Sequence, residues 1–290
     1  MEKLDWLAQA FEAERSHLRA VAYQLLGSLW EAEDAVQETW LHLSRSDTGA
    51  VRNLDGWLTT VVARISLNML RARKLRREES LEAAELEPGT REPDVTDPEQ
   101  EALMADSVGV ALLVVLDRLS PAERLAFVLH DIFAVPFDEI APLVERSETA
   151  TRQLASRARH RVHAGATEAS ADLPASRELV DAFLSASREG SFEALLALLD
   201  PDIVYRADWP SGQSLVVQGA AVVKQARAFV RLAQFAQPAL VNGAVGVVVA
   251  PFGRLRYVAQ FTITGSKIKE IHVMADPAVL RQVHLAVLSG

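Results

Sequence analysis

The spacing of apolar residues changes once along this chain, near Gly165. Before that point apolar residues recur every three to four positions, the period of an amphipathic helix. After it, two more helical runs give way to short β-branched runs separated by Gly and Pro, which is the grammar of strands. A chain patterned in this way cannot close into one bundle or one sheet. It must build an all-helical part first and an α+β part second, and 290 residues suffice for about two domains with separate cores.

In the helical part, Leu7, Phe11, Leu18, Val21, Ala22 and Leu25 fall near one face of a first helix, and Gly27 is its stop. Ser28 caps a second helix with apolar Leu29, Ala32, Val36 and Leu43. Its other face carries Glu31, Glu33, Asp34, Gln37 and Glu38. A connection over 47–55 leads to a third helix over 56–77, whose spacing puts Trp57, Val61, Ile65 and Leu70 on one side. Helical spacing returns at about Glu99 and lasts to about Ala164. Within it, Ser120-Pro121-Ala122-Glu123 has the form of an N-cap with Pro at the first helical position.

Charge is uneven. The chain carries −9 overall, and residues 81–106 alone hold one base and nine acids among three prolines. That composition reads as an extended acidic linker. Elsewhere acids and bases nearly balance, so local arrangement decides what each part attracts. Two stretches are cationic. Residues 64–77, "RISLNMLRARKLRR", have six bases and no acid. Residues 147–162, "SETATRQLASRARHRV", have four arginines and one acid. The second follows a short helix with apolar Phe137, Ile140, Ala141 and Val144, and a tight turn at Arg146-Ser147 separates the two.

Two short helices with a polar, basic second member form a helix-turn-helix pattern. In that geometry Glu148, Thr149, Arg152 and Gln153 reach base edges, and Ser156 is a further donor. Arg157, Arg159 and Arg161 track phosphates, and Ala150, Leu154, Ala158 and Val162 face the core. Two separated cationic helices imply two contact points on one polyanion.

No apolar run reaches the ~18 residues of a membrane span. The acid-bearing N-terminus does not have the form of a signal peptide. Cysteine is absent, which excludes disulfides and thiol chemistry. No Walker loop, metal cluster or nucleophile motif is seen, so neither cofactor nor metal is expected. The expected location is the cytoplasm.

Three separated stretches, "AYQLLGSLWEAEDAVQETWLHL", "GWLTTVVARISLNMLRARKLRR" and "LSPAERLAFVLHDIFAVPFDEIAPLVERSETATRQLASRARHRV", resemble, in order, an extracytoplasmic-function (ECF) sigma factor of bacterial RNA polymerase. The resemblance implies a sigma-2 domain over 1–80, the acidic linker over 81–106 and a sigma-4 helix-turn-helix domain over 107–165. It implies core polymerase docking through Asp34, Gln37 and Glu38. It also implies −10 promoter contacts from Asn53, Arg64, Asn68, Arg71, Arg73, Lys74, Arg76 and Arg77. The −35 contacts would come from Ser147, Thr149, Arg152, Gln153, Ser156, Arg157 and Arg159.

The tail, 174–290, is similar to the SnoaL-like, cone-shaped α+β domain of the nuclear-transport-factor-2 (NTF2-like) superfold, which the SigJ-like (ECF41-like) group of sigma factors carries. "DWPSGQS", 208–214, resembles that group's Asp-Gly-Gly-Gly-Lys loop, with Gln213 in the lysine's place. "ADPAVL", 275–280, resembles its Asn-Pro-Asp-Lys-Leu stretch at Asp276-Pro277. The group's Trp-Leu-Pro-Glu-Pro linker signature is not present.

The tail is expected to regulate the sigma domains by intramolecular contact, with a small ligand as a compatible addition. Tyr205, Asp208, Trp209, Gln213, His272 and Asp276 are its candidate regulatory or pocket residues, and Tyr205, Asp208, Trp209 and His272 are expected on or near strands that point inward. Two other readings stay open: a ligand-sensing helix-turn-helix regulator, and an isomerase-like enzyme using the cone.

Overall fold

The computed structural model of this chain describes residues 2–46, 53–83, 109–163, 173–209, 214–219, 222, 232–251 and 254–288. The chain packs as two compact units, Met1–Leu103 with Leu116–Arg159, and Met104–Val115 with His160–Gly290. The first unit joins the helix-turn-helix to the N-terminal helices. Most of the acidic segment lies outside the described residues.

The first unit is helical throughout its described part. Helix α1 (Glu2–Leu26) and helix α2 (Leu29–Arg45) meet through the faces their spacing predicts. Leu18, Val21, Ala22, Leu25, Ala32 and Leu43 are all fully buried. Ser28 caps α2 by accepting from the Glu31 N–H. Helix α3 (Leu54–Ala83) is longer than its periodicity suggests and starts with Asn53 accepting from the Gly56 N–H. Its buried face is displaced by one residue from the expected one. Leu58, Val62, Ser66, Leu67 and Leu70 are buried, whereas Trp57, Val61 and Ile65 are half-buried.

Helix α4 (Val110–Leu116) precedes α5 (Pro121–Phe127), whose start is a full capping box between Ser120 and Glu123. A π-helical turn, Val128–Ile132, follows. The helix-turn-helix is then α6 (Phe137–Val144) and α7 (Glu148–His163). Between them Glu145 takes the left-handed conformation with φ 58°. Among the described residues the second unit contains α8 (Leu173–Glu189), α9 (Phe192–Leu198) and a seven-stranded sheet.

The strands are β1 (Leu199–Asp208), β2 (Ser214–Gln218), β3 (Ala236–Val241), β4 (Ala244–Val249), β5 (Tyr257–Thr264), β6 (Lys267–Met274) and β7 (Leu285–Ala286). Helix α10 (Pro277–Gln282) lies between β6 and β7. The spatial order is β2-β1-β6-β5-β4-β3-β7, and among the described residues only β1 with β6 is parallel.

One long apolar run, 239–250, is two strands rather than one. Asn242 and Gly243 have φ of 50° and 82°. Two successive positive φ values at Asn-Gly match the two-residue turn that suits a hairpin's twist. One face of the sheet packs on α8: Val180, Phe183 and Leu184 meet Ile203, Ala207, Val247, Phe261 and Val273. The rings of Phe183 and Phe261 sit edge to face at 5.4 Å.

Candidate nucleic-acid interface

Helix α7, the second helix of the helix-turn-helix, is amphipathic in a way its sequence half conceals. Thr151, Ala155 and Ala158 have no exposed surface and Val162 has 1%. The core face is therefore centred one residue further along than the expected Ala150–Leu154 stripe, and those two residues are only half-buried. Thr151 tolerates burial because its hydroxyl donates to the Ser147 carbonyl at 3.0 Å. Opposite lie Glu148, Thr149, Arg152, Gln153, Ser156, Arg157 and Arg159, all exposed. Ser147 is spent partly as a cap, its Oγ accepting from the Ala150 N–H at 3.2 Å.

Three of the arginines are held by the protein itself. Arg152 pairs with Glu148 one turn back and lies 5.5 Å from the centre of the Phe137 ring. Phe137 in turn stacks on His130 of the π-helical turn at 3.8 Å. Arg159 bonds Asp131 of that same turn at 2.7 Å, and Arg157 donates to the Gln153 carbonyl at 3.4 Å. These ties fix α7 against the preceding turn and orient its basic side chains. The involvement of His130, Asp131 and Phe137 was not anticipated from the sequence.

On α3, Arg64, Asn68, Arg71, Lys74 and Arg76 are exposed, and Asn53 is exposed at its start. The Arg77 side chain lies outside the described residues. Arg73 departs from the expected role. It is half-buried and turned into the protein, with Nη1 donating to the Leu26 carbonyl at 3.1 Å and Nη2 paired with Glu31. It caps the end of α1 and does not face outward with its neighbours.

The acidic face of α2 divides by the same kind of pairing. Glu33 bonds Arg15 and Arg19 at 3.4 and 3.3 Å, and Glu31 is taken by Arg73. Asp34, Gln37 and Glu38 remain exposed, with Glu38 3.6 Å from His42. Gln37 also borders a groove of ≈ 400 Å³ between α1 and α2 whose apolar floor is Phe11, Val36 and Trp40. Trp30, 65% exposed, stands one turn before Asp34 on this helix.

In the second unit the candidate residues separate onto two faces of the sheet. Tyr205 and Trp209 pack against the apolar core on the helix side. Burial pushes the Tyr205 hydroxyl above its usual range, and Trp209 meets Tyr257 edge to face at 6.0 Å. Asp208 and His272 lie on the opposite side, because Tyr205 pairs with Ile271 while His272 pairs with Arg206 in the parallel ladder. The expectation that all four converge inside the cone is therefore corrected.

His272 Nε2 is 2.6 Å from Asp208 Oδ2, and the Ser214 hydroxyl donates to Oδ1 at 2.9 Å. Those two hydrogen bonds, the imidazole's first, hold the Asp208 carboxyl below its usual range. Asp208 stands between serine and imidazole, so the trio is not a nucleophile resting on a base. Asp276 caps α10, accepting from the Ala278 and Val279 N–H groups. Gln213 lies outside the described residues. Among the described residues no helix is long and apolar enough to cross a membrane.

Residues 10–76 match the family described as Sigma-70 region 2, and 109–162 match Sigma-70, region 4. The chain is 44% identical over 199 residues to the ECF RNA polymerase sigma factor SigJ of Mycobacterium tuberculosis (strain ATCC 25618 / H37Rv). That match covers 68% of this chain and 64% of the relative, so it spans less than two thirds of that protein's length. It is 34% identical over 286 residues to the probable ECF RNA polymerase sigma factor SigI of Mycobacterium tuberculosis (strain CDC 1551 / Oshkosh), covering 97% of both. A crystal structure of Mycobacterium tuberculosis SigJ aligns over 94% of this chain and 98% of that one, with 33% identity and a TM-score of 0.46. Two family matches on the two helical regions, together with a relative similar from end to end, place this chain in the ECF RNA polymerase sigma factor family.

Proposed function

We propose that the chain binds core RNA polymerase through α2, holds the −10 element on α3 and reads the −35 element with α7. The observation that carries this reading is the exposed face of α7. Thr149, Arg152, Gln153 and Ser156 are open to a groove, while Thr151, Ala155, Ala158 and Val162 anchor the helix from behind. On α3 the outward cations are Arg64, Arg71, Lys74 and Arg76, with Asn68 among them; Arg73 is withdrawn from the set.

Asp34, Gln37 and Glu38 suit a basic helical surface on the polymerase, since the neighbouring acids are already neutralised by arginines. The division we propose is sigma-2 over 1–80, an acidic linker over 81–106, sigma-4 over 107–165 and a SnoaL-like tail over 174–290. The tail regulates by intramolecular contact and accepts a small ligand on the Tyr205–Trp209 side. The protein acts by binding rather than turnover.

The experiment is capture of purified core polymerase by the full chain and by the double variant Asp34→Lys, Glu38→Lys. Loss of capture in the variant supports the reading. Equal capture by both moves the docking surface elsewhere, and no capture by the wild-type chain removes the main partner.

A further inference from the structure

Helix α3 carries one exposed leucine in the middle of its cationic stretch. Leu75 has 57% of its surface exposed, and residues 64–77 around it hold six bases and no acid. The helical period places Arg64, Asn68, Arg71 and Leu75 within about 60° of one another around the axis. All four are exposed. Lys74 and Arg76, exposed as well, flank Leu75 at about 100° on either side. The buried residues of this helix, Leu58, Val62, Ser66, Leu67 and Leu70, lie opposite. Leu75 therefore does not serve the core. It sits at the centre of an outward strip whose borders are cations.

The charge of the strip selects a polyanion, and phosphates that meet its borders bring base edges to its centre. Cations supply that attraction without telling one sequence from another. Leu75 offers neither charge nor hydrogen bond. Among the groups that base edges present in the major groove, the thymine C5 methyl is the apolar one. A leucine over that methyl buries two apolar groups together. The same leucine over cytosine or adenine covers an amino group without giving it an acceptor, which costs binding.

We infer that Leu75 is a specificity-determining residue of the −10 contact and that it reads one thymine through its C5 methyl. This deepens the proposed function and rests on its placement of the −10 element along α3. Arg64, Arg71, Lys74 and Arg76 hold the backbone, whereas Leu75 supplies preference at one base. Loss of one buried methyl weakens binding by about fourfold.

The test uses the full chain with purified core polymerase, on a promoter that this holoenzyme selects from a pool randomised at −10. Each −10 thymine is replaced in turn by deoxyuridine, which lacks only the methyl. One replacement weakens wild-type binding by about fourfold. Leu75→Ala binds the thymine and uracil forms equally, and Leu75→Met restores the difference. Both variants keep wild-type helicity by circular dichroism, because the side chain is outside the core. Methyl sensitivity that is absent from the wild type, or that persists in Leu75→Ala, overturns the role of Leu75. So does a Leu75→Ala loss that appears in binding to core polymerase alone, which gives the side chain a protein partner. Arg64→Ala and Arg76→Ala separate this failure from failure of the −10 reading. Each lowers the slope of log affinity against log salt by about one if α3 lies on DNA. An unchanged slope in both removes α3 from the DNA, and the role of Leu75 with it.

Discussion

Replacing Arg152 by alanine tests how α7 reads DNA. In the free protein this guanidinium is tied twice, to Glu148 one turn back and over the Phe137 ring. The exposed i,i+4 pair is worth about 0.3–0.5 kcal/mol. The ring contact, at a surface position, is worth about 0.5–1 kcal/mol. Reaching a base edge therefore costs about 1 kcal/mol or a little more. A bidentate guanine contact discriminates by about 1–3 kcal/mol, so the variant loses about 5- to 150-fold preference at one −35 position. Free-protein stability falls by no more than about 1.5 kcal/mol, since only the two surface ties are lost.

The companion variant Glu148→Gln loosens one tie and strengthens −35 binding about twofold. The assay is holoenzyme binding to the preferred promoter and to a set with single −35 substitutions, at one salt concentration. Weakening by the same factor on every sequence would show that Arg152 is a phosphate contact and that the reasoning from its geometry is wrong.

Three further outcomes follow from packing and charge. Gly246→Ala places a Cβ 2.5 Å from Val241 Cγ2 and 2.6 Å from the Ala259 carbonyl. It destabilises the sheet by about 1–3 kcal/mol, seen as a lower thermal midpoint in calorimetry. Thr151→Val keeps the buried shape and leaves the Thr151 N–H to satisfy the Ser147 carbonyl, so it costs no more than about 1 kcal/mol by urea unfolding. Asp208→Asn bears on pH. The folded-state pKa of Asp208 is depressed, so its stabilisation is present above the ordinary carboxylate range and is lost as pH falls through the folded value. The wild type therefore exceeds this variant in stability at neutral pH, and the gap closes in acid; a gap that stays constant across that range contradicts the hydrogen-bonding assigned to Asp208.

The parts legible in the sequence are those where side-chain polarity and burial agree. Helices α1 and α2 present the expected faces because their buried residues are nearly all apolar. The faces of α3 and α7 shift by one residue because Ser66 and Thr151 look like solvent-facing groups. Their hydroxyls are instead satisfied within the helix, by the Val62 and Ser147 carbonyls. The hairpin at Asn242-Gly243 was written in the sequence but hidden in a continuous apolar run.

Arg73 illustrates what periodicity does not hold. It shares its basic stretch with Arg71 and Lys74, yet it faces the end of α1, and only the packing of α3 on α1 and α2 assigns it there. In the tail, strand alternation separates Tyr205 from Asp208, but the pairing of β1 with β6 had to be known before His272 could be set on the Asp208 side.

The central claim is best tested by run-off transcription with purified core polymerase on a promoter carrying both elements. Full-length chain, the Asp34→Lys, Glu38→Lys double variant and a chain cut after about residue 170 would be compared. A transcript that requires the chain, is lost with the double variant and changes markedly with the truncation is the expected result. A transcript indifferent to all three would contradict the account.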